Sequence, residues 1–168
     1  GSPGLTGAPV MTCHAAARAG AGYVMCACPE SIQATLATHF VEVATLTLPH
    51  GTVGLDPEGA LEVLAEKLPK AGALLVGPGL GTKKGTLATV RRLLKTFDGP
   101  AVIDADGLGA LTPDLLAGHA RGRWVLTPHE GEFGRLAGDV SLDDRVAVVR
   151  AQAQAWNSVL VLKGMPSL

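Results

Sequence analysis

Residues 73–105, ALLVGPGLGTKKGTLATVRRLLKTFDGPAVIDA, decide the fold. An apolar run at 73–77 passes through a glycine-rich loop into a stretch with Leu87, Val90, Leu94 and Phe97 at helical spacing. A second apolar run follows at 101–105. Two continuous apolar runs of strand length, joined by an amphipathic helix, read as a strand, a crossover helix and a parallel strand covered on both faces. The same alternation extends outward in both directions. Further strands are expected at 23–28, 41–48, 123–127 and 158–163. Asp56-Pro57 supplies an N-cap and a first-turn proline, with Leu61, Leu64, Ala65 and Leu68 as the buried stripe behind them. Thr112-Pro113 repeats that signal. Ser141 with Asp144 resembles a capping box opening a helix to about Trp156. The expectation is one layered α/β domain over 1–168 on a mostly parallel central sheet, with no repeat or linker. The missing strand before residue 1 and the missing cover after residue 163 suggest an incomplete sheet.

Composition narrows the function classes. Hydrophobic residues make up 47% of the 168, and charged residues 17%, which argues against intrinsic disorder. A formal net charge of −1 gives no electrostatic reason to bind nucleic acid or an anionic membrane. No apolar run reaches the ~20 residues that span a bilayer. Cys13, Cys26 and Cys28 read as small core hydrophobes in a reducing, cytoplasmic compartment, since no second ligand pair is spaced for a metal.

Ligands collect outside the carboxyl ends of strands in open parallel sheets, and five stretches are expected on that edge. GSPGLTGAP (1–9) is either a ligand-approaching glycine loop whose helix amino terminus offers N–H groups to an anion, or an ordinary glycine turn with Pro9 as helix starter. VGPGLGTKKG (76–85) alternates Gly77, Gly79 and Gly81, matching neither a dinucleotide fingerprint nor a Walker A loop. It offers a wall of backbone, with Lys83 and Lys84 either assisting or solvated. In VIDADGLGAL (102–111), Asp104 and Asp106 alternate at a strand end and so share a face, a pair that could hold a metal or act as a base; alternatively Asp106 caps a short helix and Asp104 is a carboxylate at the site's edge. In VLTPHEGEF (125–133), Thr127 reads as N-cap, Pro128 as first helical residue and Glu130 as the closing member of a capping box. That leaves His129 as a structural histidine or a substrate contact, and Glu132 as an ion-pair partner or site carboxylate. In LKGMPS (162–167), Lys163 ends a buried strand. Its ammonium requires an anion, either a phosphate or a carboxylate, unless it snorkels out.

Taken together and in order, GSPGLTGAPVMTCHAAARAGAGYV, GPGLG, VIDADGL, LTPHEGEF and VLKG resemble the ADP- or ATP-dependent NAD(P)H-hydrate dehydratases of the ribokinase-like superfamily. The resemblance runs from the first residue to the last and covers the front part of that family's domain. It implies a three-layer ribokinase-like fold, incomplete in this chain. It also implies repair of hydrated NADH or NADPH: a nucleotide phosphorylates the added ring hydroxyl, phosphate leaves and the double bond returns. ADP or ATP with Mg2+ is implied, as is a homo-oligomer, often a tetramer. Ala8, Gly79 and His129 match residues lining the hydrate pocket. Lys163, Gly164, Met165, Pro166 and Ser167 match the nucleotide turn, which in the family reads approximately K-G-A-G-T. Two departures stand out: Glu130 replaces a usual proline, and Pro166 removes an N–H donor. The family's catalytic G-T-G-D motif does not occur in these residues. No catalytic residue is therefore assigned, the metal ligands stay unassigned, and this polypeptide alone is expected to be inactive. The rival expectations are a small-molecule kinase of the same superfamily, acting for example on a vitamin precursor, and a non-catalytic nucleotide-binding or assembly module.

Overall fold

The structure is a computed structural model that describes residues 1–138 and 140–168, with only the backbone at His119. It divides into two compact units: Gly1–Pro69 with Pro78–Thr89, and Lys70–Gly77 with Val90–Leu168.

The first unit holds α1 (Gly7–Arg18), β1 (Val24–Pro29), α2 (Glu30–Ala37), β2 (Val43–Leu48), the short strands β3 (His50–Gly51) and β4 (Gly54–Leu55), and α3 (Pro57–Ala65). β1 and β2 pair in parallel, with Cys26 opposite Thr45. Cys26 and Cys28 share the inward face of β1, and the exposed Ala27 points the other way, as a period of two requires. With Cys13, Ile32, Leu36 and Val43 they form the core. All three cysteines are free. Hydrogen bonding to the Cys26 sulfur, then burial, pushes the Cys13 and Cys28 thiols up, so both stay protonated and behave as apolar groups. The Asp56 carboxylate accepts from the N–H groups of Glu58 and Gly59 and starts α3, as the Asp-Pro pair implies. The buried face of α3 is Ala60 and Leu64. Ala65 is exposed, and Leu68 lies beyond the helix in a 3-10 turn. The β3–β4 hairpin and α2 have no counterpart in the sequence expectations.

The second unit is a four-stranded sheet of β5 (Leu74–Val76), β6 (Ala101–Ile103), β7 (Trp124–Leu126) and β8 (Val159–Leu160), in that order. Every pair is parallel. The quoted stretch is thus the strand–helix–strand unit it resembled, with α4 (Lys84–Thr96) between β5 and β6 and Val90, Leu94 and Phe97 buried. A 3-10 helix (Ala105–Ala110) and α5 (Pro113–His119) follow β6, while α6 (Glu130–Ala137) and α7 (Arg145–Ala155) join β7 to β8. Thr112 caps α5 through the Leu115 N–H. The start of α7 differs from expectation. Asp144 alone caps it, accepting from Ala147 N–H, and Ser141 Oγ instead accepts from Asp143 N–H in a local turn. Coverage on both faces fails at the outer strands of this ladder, where Leu75 is 45% and Val159 51% exposed.

Candidate functional site

At the carboxyl ends of β7 and β8 the ladder continues past the strands. Val161 N–H donates to Leu126 O, Lys163 N–H donates to Pro128 O at 2.8 Å, and His129 bridges Lys163 in parallel. This pairing keeps the chain extended through residue 129, which is why the helix start lies two residues later than expected. The N-cap is His129, not Thr127. Its Nδ1 accepts from Glu132 N–H at 3.2 Å, and Glu132 Oε2 accepts from His129 N–H at 2.9 Å. His129 and Glu132 therefore form the capping box assigned above to Thr127 and Glu130. With Nδ1 accepting, a neutral imidazole carries its proton on Nε2, 3.4 Å from Glu132 Oε1. Glu132 is buried in this structural role, while the His129 ring remains 57% exposed and free to meet a ligand.

Lys163 finds its anion in the protein. Nζ donates to Asp104 Oδ1 at 2.6 Å. Burial pushes the Asp104 carboxyl up. The Lys163 ammonium, the Thr127 hydroxyl and the Ala105 N–H together outweigh it and hold the group below the usual carboxylate range. Asp104 stands at the N-cap position of the 3-10 helix without capping it, and Asp106 lies inside that helix instead of starting it. The reason is that β6 ends at Ile103, so the strand alternation expected for the two aspartates stops before Asp106. Asp104 N–H donates to Val76 O, which draws the loop after β6 against the end of β5. At that point Gly77 has φ +133, and a Cβ there would fall on the Asp104 carbonyl oxygen; only glycine fits.

Beyond Lys163 the chain closes a loop. Leu162 and Leu168 exchange both backbone hydrogen bonds, and Ser167 Oγ accepts from Gly164 N–H and donates to Gly164 O. The Met165–Pro166 peptide is cis. The backbone N–H groups of Met165 and Ser167 have no partner among the described residues, and Met165 is 97% exposed. Glu130 accepts from Arg145 Nη1 and has no part in a capping box. Arg145 escaped the sequence reading; its place as the first residue of a helix carried no signal for contact with the turn.

In the first unit the structure brings Ala8 and Gly79 together. Gly79 has φ +65, and a Cβ there would lie 2.7 Å from Leu5 O and 3.0 Å from the Ala8 Cβ. Ser2 Oγ donates to Gly79 O at 3.0 Å, tying the amino-terminal loop to the glycine turn. The helix beside them starts at Gly7, so Pro9 occupies its third position and is not the helix starter. Next to that turn, a hollow of about 210 Å³ is lined by Ser2, His50, Leu80, Gly81, Lys83 and Thr86, among others. His50 and the hairpin that carries it were missed; the G-x-x-G spacing at 51–54 is the one signal that marks it.

Among the described residues no group of three or more His, Cys, Asp or Glu side chains could hold a metal ion. Among the same residues, no helix is long and apolar enough to cross a membrane.

Comparison with known proteins agrees with this architecture. A family model described as NAD(P)H-hydrate dehydratase matches residues 1–167. The bifunctional NAD(P)H-hydrate repair enzyme of Salinibacter ruber is 53% identical over all of this chain, which spans only 32% of that protein. A ribokinase-like superfamily protein from Enterococcus faecalis superposes with a TM-score of 0.76 at 21% identity, covering 95% of this chain and 54% of its own. The ADP/ATP-dependent NAD(P)H-hydrate dehydratase of Bacillus subtilis, co-crystallized with ATP and Mg2+, gives a TM-score of 0.70 at 24% identity, covering 99% of this chain and 56% of its own. At these identities the two structures speak for the fold, which is α/β and ribokinase-like, with parallel strands as expected. By the family match over nearly its whole length, the chain belongs to the NAD(P)H-hydrate dehydratase family.

Proposed function

We propose that this chain is part of an enzyme that repairs hydrated NADH and NADPH at the expense of ADP or ATP. Phosphoryl transfer is mostly positioning and charge stabilisation, so the chain's contribution is to hold its ligands. The observation that carries the reading is the turn after β8. Lys163 sits at its root, positioned by Asp104, and the uncommitted amides of Met165 and Ser167 offer donors to an anionic nucleotide. Ser167 keeps the hydroxyl of the family turn. In the second unit, His129 offers a ring fixed by its capping box to the hydrate. In the first, Ala8 and Gly79 form a surface of backbone and small side chain suited to a flat ring. The base that takes the hydroxyl proton is not assigned to any residue here, and no step is routed through a metal. Three reduced, buried cysteines favour a cytoplasmic setting, and a homo-oligomer, up to a tetramer, belongs to the same reading.

The test is incubation of the longer protein carrying this chain with NADH hydrate and ATP. The expected result is return of NADH absorbance that requires the nucleotide, with release of free phosphate. A stable phosphorylated product would make the protein a small-molecule kinase. Nucleotide uptake without turnover would make it a binding or assembly module.

A further inference from the structure

The guanidinium of Arg145, the first residue of α7, touches two segments distant in sequence. Nη1 donates to the Glu130 carboxylate at the start of α6, and Nη2 lies 3.5 Å from Pro166 O in the turn after β8. The arginine is about a quarter exposed, while its Nε is buried with no hydrogen-bond partner. Gly164 packs against the guanidinium. A Cβ at that position would come within 2.6 Å of Arg145 Nη2 and 3.4 Å of Glu130 Oε1. The φ of Gly164 is not in the left-handed region, so the backbone does not require glycine there; a Cβ would instead displace the end of the arginine. A buried Nε left without an acceptor costs free energy, so packing and the two other contacts must hold the guanidinium in place. Glu130 and Pro166, the two departures singled out above, both meet Arg145.

We propose that Arg145, braced by Glu130, is a positioning residue that sets the shape of the Gly164–Ser167 turn for the nucleotide. The planar fork is what the role needs: one nitrogen holds the carboxylate while another reaches the carbonyl. A lysine ammonium is a single point and cannot serve both at once. Arg145 makes no contact with the nucleotide itself. It keeps the Met165 and Ser167 amides in one arrangement, so that ligand binding does not have to order them. The proposal rests on the reading of this turn as a nucleotide site.

Isothermal titration of the longer protein carrying this chain with ATP tests it, alongside amide hydrogen exchange of the turn without ligand. Arg145→Gln is expected to weaken ATP binding about tenfold, and Arg145→Lys by nearly as much. Exchange should speed at Leu168, whose amide closes the loop on Leu162. Gly164→Ala should weaken binding to a similar extent by displacing the guanidinium. In an Arg145→Gln background it should add less than about twofold, the signature of a shared cause. A purely structural arginine would be rescued by lysine and would show additive effects with Gly164→Ala; either result overturns the proposal. So does ATP affinity in Arg145→Gln within about twofold of wild type. A longer protein that takes up no ATP at all overturns the functional reading, whereas unchanged exchange at Leu168 in Arg145→Gln overturns the positioning role by itself.

Discussion

Two turns in the second unit end up equally defined by opposite means. At the ends of β5 and β6, backbone meets backbone. Gly77 lies on the Asp104 carbonyl, Asp104 N–H reaches Val76 O, and Gly107 N–H returns to Asp104 O. At the end of β8, a side chain from another helix meets the turn, and Arg145 rests on Gly164 and Pro166. The first arrangement has no slack, because a carbonyl oxygen cannot rotate out of the way. The second has slack, because the end of an arginine can move. A backbone-locked turn suits a scaffold, whereas a turn held by a side chain can be tuned or can adapt to a ligand.

Glycine-to-alanine exchange separates the two most sharply. Gly77→Ala combines a disallowed φ with a backbone clash and should cost about 3 kcal/mol or more, read as a fall in thermal midpoint. Gly164→Ala, at an ordinary φ and beside a side chain in place of a carbonyl, should cost under about 1 kcal/mol in stability, because only a flexible guanidinium has to move. Equal losses at both positions would erase the distinction.

A smaller effect is expected at the cap that ends the β7 ladder. Glu132→Ala removes the acceptor for His129 N–H and should cost about 1 kcal/mol, measured by denaturant unfolding. Smaller again is the contribution of Asp104, whose pair with Lys163 is part-exposed and screened by solvent; Asp104→Asn should cost less than about 1 kcal/mol at neutral pH. The direction of its pH dependence is fixed. The folded carboxyl titrates below its unfolded value, so its stabilisation is fully present above the ordinary carboxylate range. It is lost as pH falls through the depressed folded pKa, and stability of the wild type should drop more steeply than that of Asp104→Asn below about pH 4. Parallel acid profiles for the two would mean that the Lys163 contact does not persist in solution.

The same contrast explains what the sequence made legible. Gly77 and Gly79 advertised their turns because the constraint is written in the residue that bears it. The strands and the Asp56 and Thr112 caps were legible for the same local reason. The cap at His129 was misplaced because its position depends on pairing with Lys163, 34 residues away. Asp106 was misread because the point where β6 ends is set by tertiary packing, which local alternation does not report. Arg145 was invisible because a charged residue at a helix start is usually solvated, and its contact with residue 166 spans 21 positions. Of the candidate site residues, Ala8 with Gly79, and His129 with Lys163 and Asp104, are each brought together within their own unit.

The most direct measurement is a crystal structure, grown with ATP, of the longer protein carrying this chain. An acceptor atom of the nucleotide is expected within hydrogen-bond distance of the Met165 or Ser167 amide, with Arg145 still on Glu130. Nucleotide bound elsewhere, with the Gly164–Ser167 turn empty, would contradict that expectation.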